Sequence, residues 1–125
     1  MNAITIKLPI KTVSEANIRE HWGKKARRAR GQRQAALLIT RLALRKFRPK
    51  WFPVKGKLRI TLTRIGVRQL DDDNLARAHK HVRDGIADAL AVDDNSPWLE
   101  WIYRQQKGGV REYAVEVTIE GGNRE

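Results

Sequence analysis

A chain of 125 residues, 41% hydrophobic and 32% charged, is sized for one globular domain with a modest core. It has no cysteine, which excludes disulfides and thiolate metal sites, and its apolar runs are too short to span a bilayer. The net charge of +12 is uneven: residues 1–57 carry 16 Lys or Arg against 2 acids, and residues 58–125 carry 10 against 12.

Positive charge concentrated in this way attracts polyanions, of which nucleic acid is the commonest in a cytoplasm; a solvated basic surface is the plainer alternative. The first residues, MNAITIKLP, lack the apolar core of a signal peptide, so a cytoplasmic protein without membrane partners is expected.

In chain order, Ala3 to Leu8 alternates Ile4, Ile6 and Leu8 with Thr5 and Lys7, which predicts a short strand with one buried face, stopped by Pro9. Ser14 is placed as a helix N-cap with Glu15 in the first turn. A helical region follows to about Lys46, with Gly23 and Gly31 as candidate breaks. Within the basic region 19–50, Arg19, Lys24, Lys25, Arg27, Arg28, Arg30 and Arg33 are too closely spaced for one helix face, and they are the candidate phosphate-backbone contacts. The apolar run from Ala35 to Leu44 suits a core or a subunit interface. Trp22 fits either core packing or stacking on a base.

Pro49, Pro53 and Gly56 mark a loop between Phe47 and Lys57. Leu58 to Ile65 predicts a strand with Leu58, Ile60, Leu62 and then Arg64 on one face.

The stretch from Leu70 to Asp94 is an acidic island in this basic chain. At roughly 100° per residue, Leu75, Ala78, Val82, Ile86 and Ala89 share one side, with Asp73, Arg77, Lys80 and Asp84 opposite, so a single helix packed on a sheet is expected. Asp71, Asp72 and Asp73 stand at its start, and Asp93 and Asp94 in the loop beyond it. Such carboxylates suit a hard, oxygen-seeking ion such as Mg²⁺, and the nearby cations suit charge developing on a phosphodiester. Asp72 or Asp73 as a helix N-cap, and Asp93 and Asp94 as turn residues, explain either cluster alone. His21, His79 and His81 lack zinc-ligand spacing and read as ordinary polar residues.

Beyond the island, Asn95-Ser96-Pro97 is a turn, Trp98 to Gln106 a strand, and Gly108-Gly109 a hairpin turn into a strand over Glu112 to Glu120. Trp98 and Trp101 fit DNA contact or edge-strand packing alike. Residues 121–125 are expected to form a flexible tail.

Asp71-Asp-Asp73-Asn74-Leu75, then Lys80-x-x-x-Asp84, then Asp93-Asp94 resembles the RusA family of Holliday junction resolvases. The early strand, the basic helical region, the strand before the acids and the closing Gly108-Gly109-x-x-Glu-Tyr segment extend that resemblance over most of the chain. It implies a small α+β domain, 1–125, with a mixed β-sheet and packed helices, acting as a homodimer that nicks four-way DNA with Mg²⁺, or Mn²⁺ as substitute. Asp71, Asp73 and Asp94 would bind the metal, with Asp93 in support. Lys80 or Arg77 would be the basic catalytic partner. The alternative functions are a non-catalytic basic nucleic-acid-binding protein and an RNA- or ribosome-associated one.

Overall fold

Hydrophobic alternation organises the sheet. In the computed structural model, which describes residues 2–13 and 22–121, Ile4, Ile6 and Leu8 of strand β1 (Ala3–Leu8) are buried while Ala3, Thr5 and Lys7 are exposed. Strand β2 (Leu58–Gly66) buries Leu58, Ile60 and Leu62 in the same way, with Arg64 continuing that face as expected. The other strands are β3 (Leu99–Lys107) and β4 (Ala114–Gly121), and the mixed sheet has the order β1-β4-β2-β3. β4 runs antiparallel to both neighbours, whereas β2 and β3 are parallel.

A parallel pair needs a crossover, and the acidic island supplies it. Helices α2 (Asp72–Ala78) and α3 (Lys80–Leu90) connect β2 to β3. Their apolar positions Leu75, Ala78, Val82, Ile86 and Ala89 are all buried, as the wheel predicts. The one expected helix is nevertheless two. At His79 the ring Nδ1 lies 3.0 Å from the Leu75 carbonyl oxygen, a side-chain bond that competes with the helical ladder. This histidine is wholly buried and its ring stacks on Tyr103 with centroids 5.6 Å apart, so it is a core residue and not an ordinary polar one.

Helix α1 (Trp22–Phe47) runs unbroken through Gly23 and Gly31. Ala36, Ala43 and Leu44 join the strands and α3 in one hydrophobic cluster, whereas Leu38 and Leu42 face outward. α1 and α3 approach closely at Gly85, where a Cβ would strike the Arg33 carbonyl oxygen and lie 2.8 Å from Ala36 Cβ. Beside that contact Arg33 forks onto Asp88, Nε to Oδ2 at 2.7 Å and Nη2 to Oδ1 at 3.0 Å.

The hairpin reading of Gly108-Gly109 is wrong. β3 and β4 are separated by β2, so the chain crosses the end of β2, with Gly108 N donating to the Gly66 carbonyl at 2.8 Å. A Cβ on Gly108 would come within 3.0 Å of Ile65 Cγ2, which is why this crossing uses glycine. Gly121 also departs from expectation: it pairs with Leu58 and its N donates to the Asn2 carbonyl, so it is strand and not tail. Ser14, Glu15, Arg19 and His21, like residues 122–125, lie outside the described residues.

Candidate functional site

The two acidic clusters are held in different ways. Asp71 caps α2: its backbone is extended, and its Oδ1 accepts from Asn74 N at 2.9 Å. Asp72 and Asp73 occupy the first turn, where the helix dipole favours negative charge, and all three are exposed. The loop leading to them is fastened twice. Arg64, buried in the β2 face, donates from Nη1 to the Arg68 carbonyl at 2.6 Å and from Nε to Thr12 Oγ1 at 3.1 Å. Gln105 of β3 clips both sides of Leu70, accepting from its N at 2.9 Å and donating to its carbonyl at 2.7 Å.

Burial pushes the Arg64 guanidinium below its usual pKa, an effect that Tyr113 partly opposes. Burial likewise lowers His79, from 6.5 to about 4, against the Leu75 hydrogen bond and with the Arg64 charge adding to the fall. The neutral ring donates from Nδ1 to Leu75, and Nε2 has no partner.

Asp93 and Asp94 follow the left-handed cap of α3 at Ala91, φ 58° and ψ 39°. Asp93 Oδ1 accepts from Asn95 N at 2.9 Å, an Asx turn, which is the turn chemistry weighed from sequence. Asp94 instead points at Arg83. Arg83 Nε donates to Asp94 Oδ2 at 3.0 Å, Nη2 to the Asp94 carbonyl at 3.0 Å, and Nη1 to Tyr103 Oη at 2.8 Å. The guanidinium lies 4.8 Å from the Trp101 ring, and Trp101 Nε1 donates to the same Asp94 carbonyl at 2.9 Å. Trp101 is therefore a packing residue that holds the Asp94 loop. Trp98 remains half exposed.

Asp94 and Arg83 line a groove of about 750 Å³ between α1 and the α2–α3 pair. Lys25 enters it from α1, Arg77 from α2 and Lys80 from α3. Lys80 Nζ bonds Asp84 Oδ1 at 3.0 Å across one turn. Arg77 has no acidic partner among the described residues. Asp73 stands four residues before Arg77, one turn or roughly 6 Å along the axis, so the acidic start of α2 adjoins the groove.

The predicted site residues are thus brought together in part. Asp94, Lys80 and Arg77 share the groove, whereas Asp71 and Asp73 stand beyond its rim. Among the described residues, no three His, Asp or Glu side chains converge as a ready-made metal cage. The donor set still fits magnesium chemically: its donors are all oxygen, and that ion is usually held by one or two carboxylates with phosphate oxygens completing the shell. Of the predicted DNA contacts, Lys24, Lys25, Arg27, Arg28 and Arg30 lie on the first half of α1. Arg33 is committed to Asp88, which raises the Arg33 pKa and holds the Asp88 carboxyl below its usual range. Sequence reasoning missed Arg83 and Gln105.

No family model matches the chain. Over 100 residues it is 33% identical to a Xylella fastidiosa protein described as uncharacterized. That match covers 75% of this chain and 61% of the relative, so the chain spans less than two thirds of the relative's length. The likeness assigns no activity. No helix among the described residues is long and apolar enough to cross a membrane.

Proposed function

We propose that this chain is a RusA-like, magnesium-dependent endodeoxyribonuclease that resolves four-way DNA junctions as a homodimer in the bacterial cytoplasm. The observation that carries the reading is the cationic groove lined by Asp94, with the exposed carboxylates Asp71 and Asp73 at the start of α2, the helix that contributes Arg77 to it. Asp71, Asp73 and Asp94 would hold the ion, Mn²⁺ substituting, with Asp93 fixing the loop. When bound, the ion supplies an activated water and neutralises charge on the phosphate. Arg77 and Lys80 add positive charge where the pentacoordinate phosphate develops negative charge. Arg77 is the better placed of the two, because Lys80 is already engaged by Asp84. The first half of α1 holds the duplex arms through phosphate contacts, which makes binding strongly salt-dependent. Two sites related by a twofold axis match the symmetry of a four-way junction.

The second reading is a basic nucleic-acid-binding protein without catalysis. The pairing of Asp94 with Arg83 favours it, since that carboxylate is already neutralised inside the chain. Incubating a synthetic four-way junction with Mg²⁺, and separately with Mn²⁺, separates the two. Paired symmetric nicks that vanish in Asp73→Asn, with junction binding retained, are the expected result. Binding with no cutting in either ion refutes the nuclease, and full cutting by Asp73→Asn refutes the site.

A further inference from the structure

The groove has a property that the carboxylate chemistry does not use. It is open because three alanines, Ala26 and Ala29 of α1 and Ala76 of α2, line it where larger side chains would fill it. These methyl groups and the half-buried Tyr103 give its lining apolar surface, and Lys25 and Arg77 give it positive charge. Neither of these two cations has an acidic partner among the described residues. Arg83 is fixed in advance by Tyr103, Asp94 and Trp101, so little freedom is lost when a ligand meets it.

The volume of about 750 Å³ lies within the range of small-molecule sites, roughly 300–1,000 Å³. A lone phosphate would need only the cations, and an apolar ligand only the methyl groups. A nucleotide presents a phosphate at one end and a flat, weakly polar base at the other. The positive charge also continues along α1 outside the groove at Lys24, Arg27 and Arg30, which suits a ligand with repeating phosphates better than a small anion or a single acidic side chain.

We propose that the groove seats one nucleotide unstacked from a DNA strand, its phosphate between Lys25 and Arg77 and its base against the alanine-lined wall. The proposal rests on the nucleic-acid reading and is independent of a metal ion.

The test is anisotropy of a labelled single-stranded DNA in EDTA, repeated over a series of salt concentrations, where cutting plays no part. Ala29→Phe fills the groove and keeps every charge, so it is expected to weaken binding about tenfold, the scale of one lost base contact, with the salt slope unchanged. A probe abasic throughout should bind the wild type correspondingly less well and the variant no differently from its intact counterpart. Binding by folded Ala29→Phe within twofold of the wild type overturns the proposal. Should that variant fail to fold, amide shifts of the wild type titrated with a deoxynucleoside monophosphate decide: perturbation at Lys25, Ala29 and Arg77 supports the site, and its absence refutes it. Competition by an acidic peptide as effective as that by the nucleotide also overturns it. A chain that seats the nucleotide and cuts no junction loses the nuclease reading alone. One that cuts junctions while Ala29→Phe binds normally loses this inference alone.

Discussion

Gly85→Ala is the substitution for which local propensity and packing predict opposite signs. On an exposed helix surface the change would stabilise by about 1 kcal/mol, because alanine is the better helix former. Here the added methyl lands on the Arg33 carbonyl oxygen, 2.8 Å from Ala36 Cβ and 3.0 Å from Leu37 N. Two of these three atoms are backbone, so no side chain can rotate away; α1 and α3 must separate along their shared contact. Overpacking of this kind costs about 3 kcal/mol at the upper end of its usual range. Set against the gain in propensity, the net loss is about 2 kcal/mol. For a domain of this size that lowers the melting temperature by roughly 6–10 °C. Urea unfolding followed by far-UV circular dichroism measures it as a lower midpoint with an unchanged slope. Because α1 forms one wall of the groove and α3 the other, oligonucleotide affinity should fall in the same variant. A Gly85→Ala protein as stable as the wild type, or more so, would refute the close helix contact.

His79 sets a pH limit. Its pKa is about 4 when folded against 6.5 unfolded, so the unfolded chain holds the extra proton between those values. The contribution is complete above pH 6.5 and is lost as pH falls toward 4, amounting to about 2 kcal/mol between pH 7 and pH 5. His79→Gln should lack this part of the pH slope in urea titrations, and an equal slope in both proteins refutes it. Arg83→Ala leaves Asp94 and Tyr103 without their shared donor, and a loss of about 2 kcal/mol is expected by thermal unfolding. Arg83→Lys should restore little of it, since an ammonium cannot reproduce the fork. Glu100→Ala removes the exposed Arg59–Glu100 pair and should shift the urea midpoint by no more than about 0.5 kcal/mol of stability.

The strands were legible because their code is local. Period-two alternation at Ile4-Ile6-Leu8 and at Leu58-Ile60-Leu62 sets which face is buried, whatever the neighbouring strand. Strand order is not local. Gly108-Gly109 has the composition of a hairpin turn, yet β4 lies between β1 and β2, on the edge of β2 that β3 does not occupy. The division at His79 was hidden for a related reason: a histidine inside an amphipathic pattern reads as polar surface until Tyr103 of a strand 24 residues later is found stacked on it.

The candidate site divides along the same line. Capping of α2 and an Asx turn at Asp93 follow from neighbours within three residues; the turn could be anticipated, whereas the cap falls on Asp71, one residue before the Asp72 or Asp73 expected. The Arg83–Asp94 pair spans a helix end and a loop, and no spacing rule covers it. One sequence signal did exist: Arg83 lies within about 60° of Ile86 on the helical wheel, at the border of the buried face, where a guanidinium needs an internal partner. That partner proves to be the acid which the family resemblance would assign to metal. Asp94 therefore belongs first to a folded network with Tyr103 and Trp101, and any role as a ligand has to be shared with Arg83. The same reasoning separates the two basic candidates. Lys80 and Arg77 are equivalent on a wheel, but the break at His79 puts them on different helices, where Lys80 finds Asp84 and Arg77 finds no acid among the described residues. The local resemblance at Lys80-x-x-x-Asp84 ranks the lysine first; the folded chain engages that lysine with Asp84 and leaves the arginine with charge to offer a phosphate.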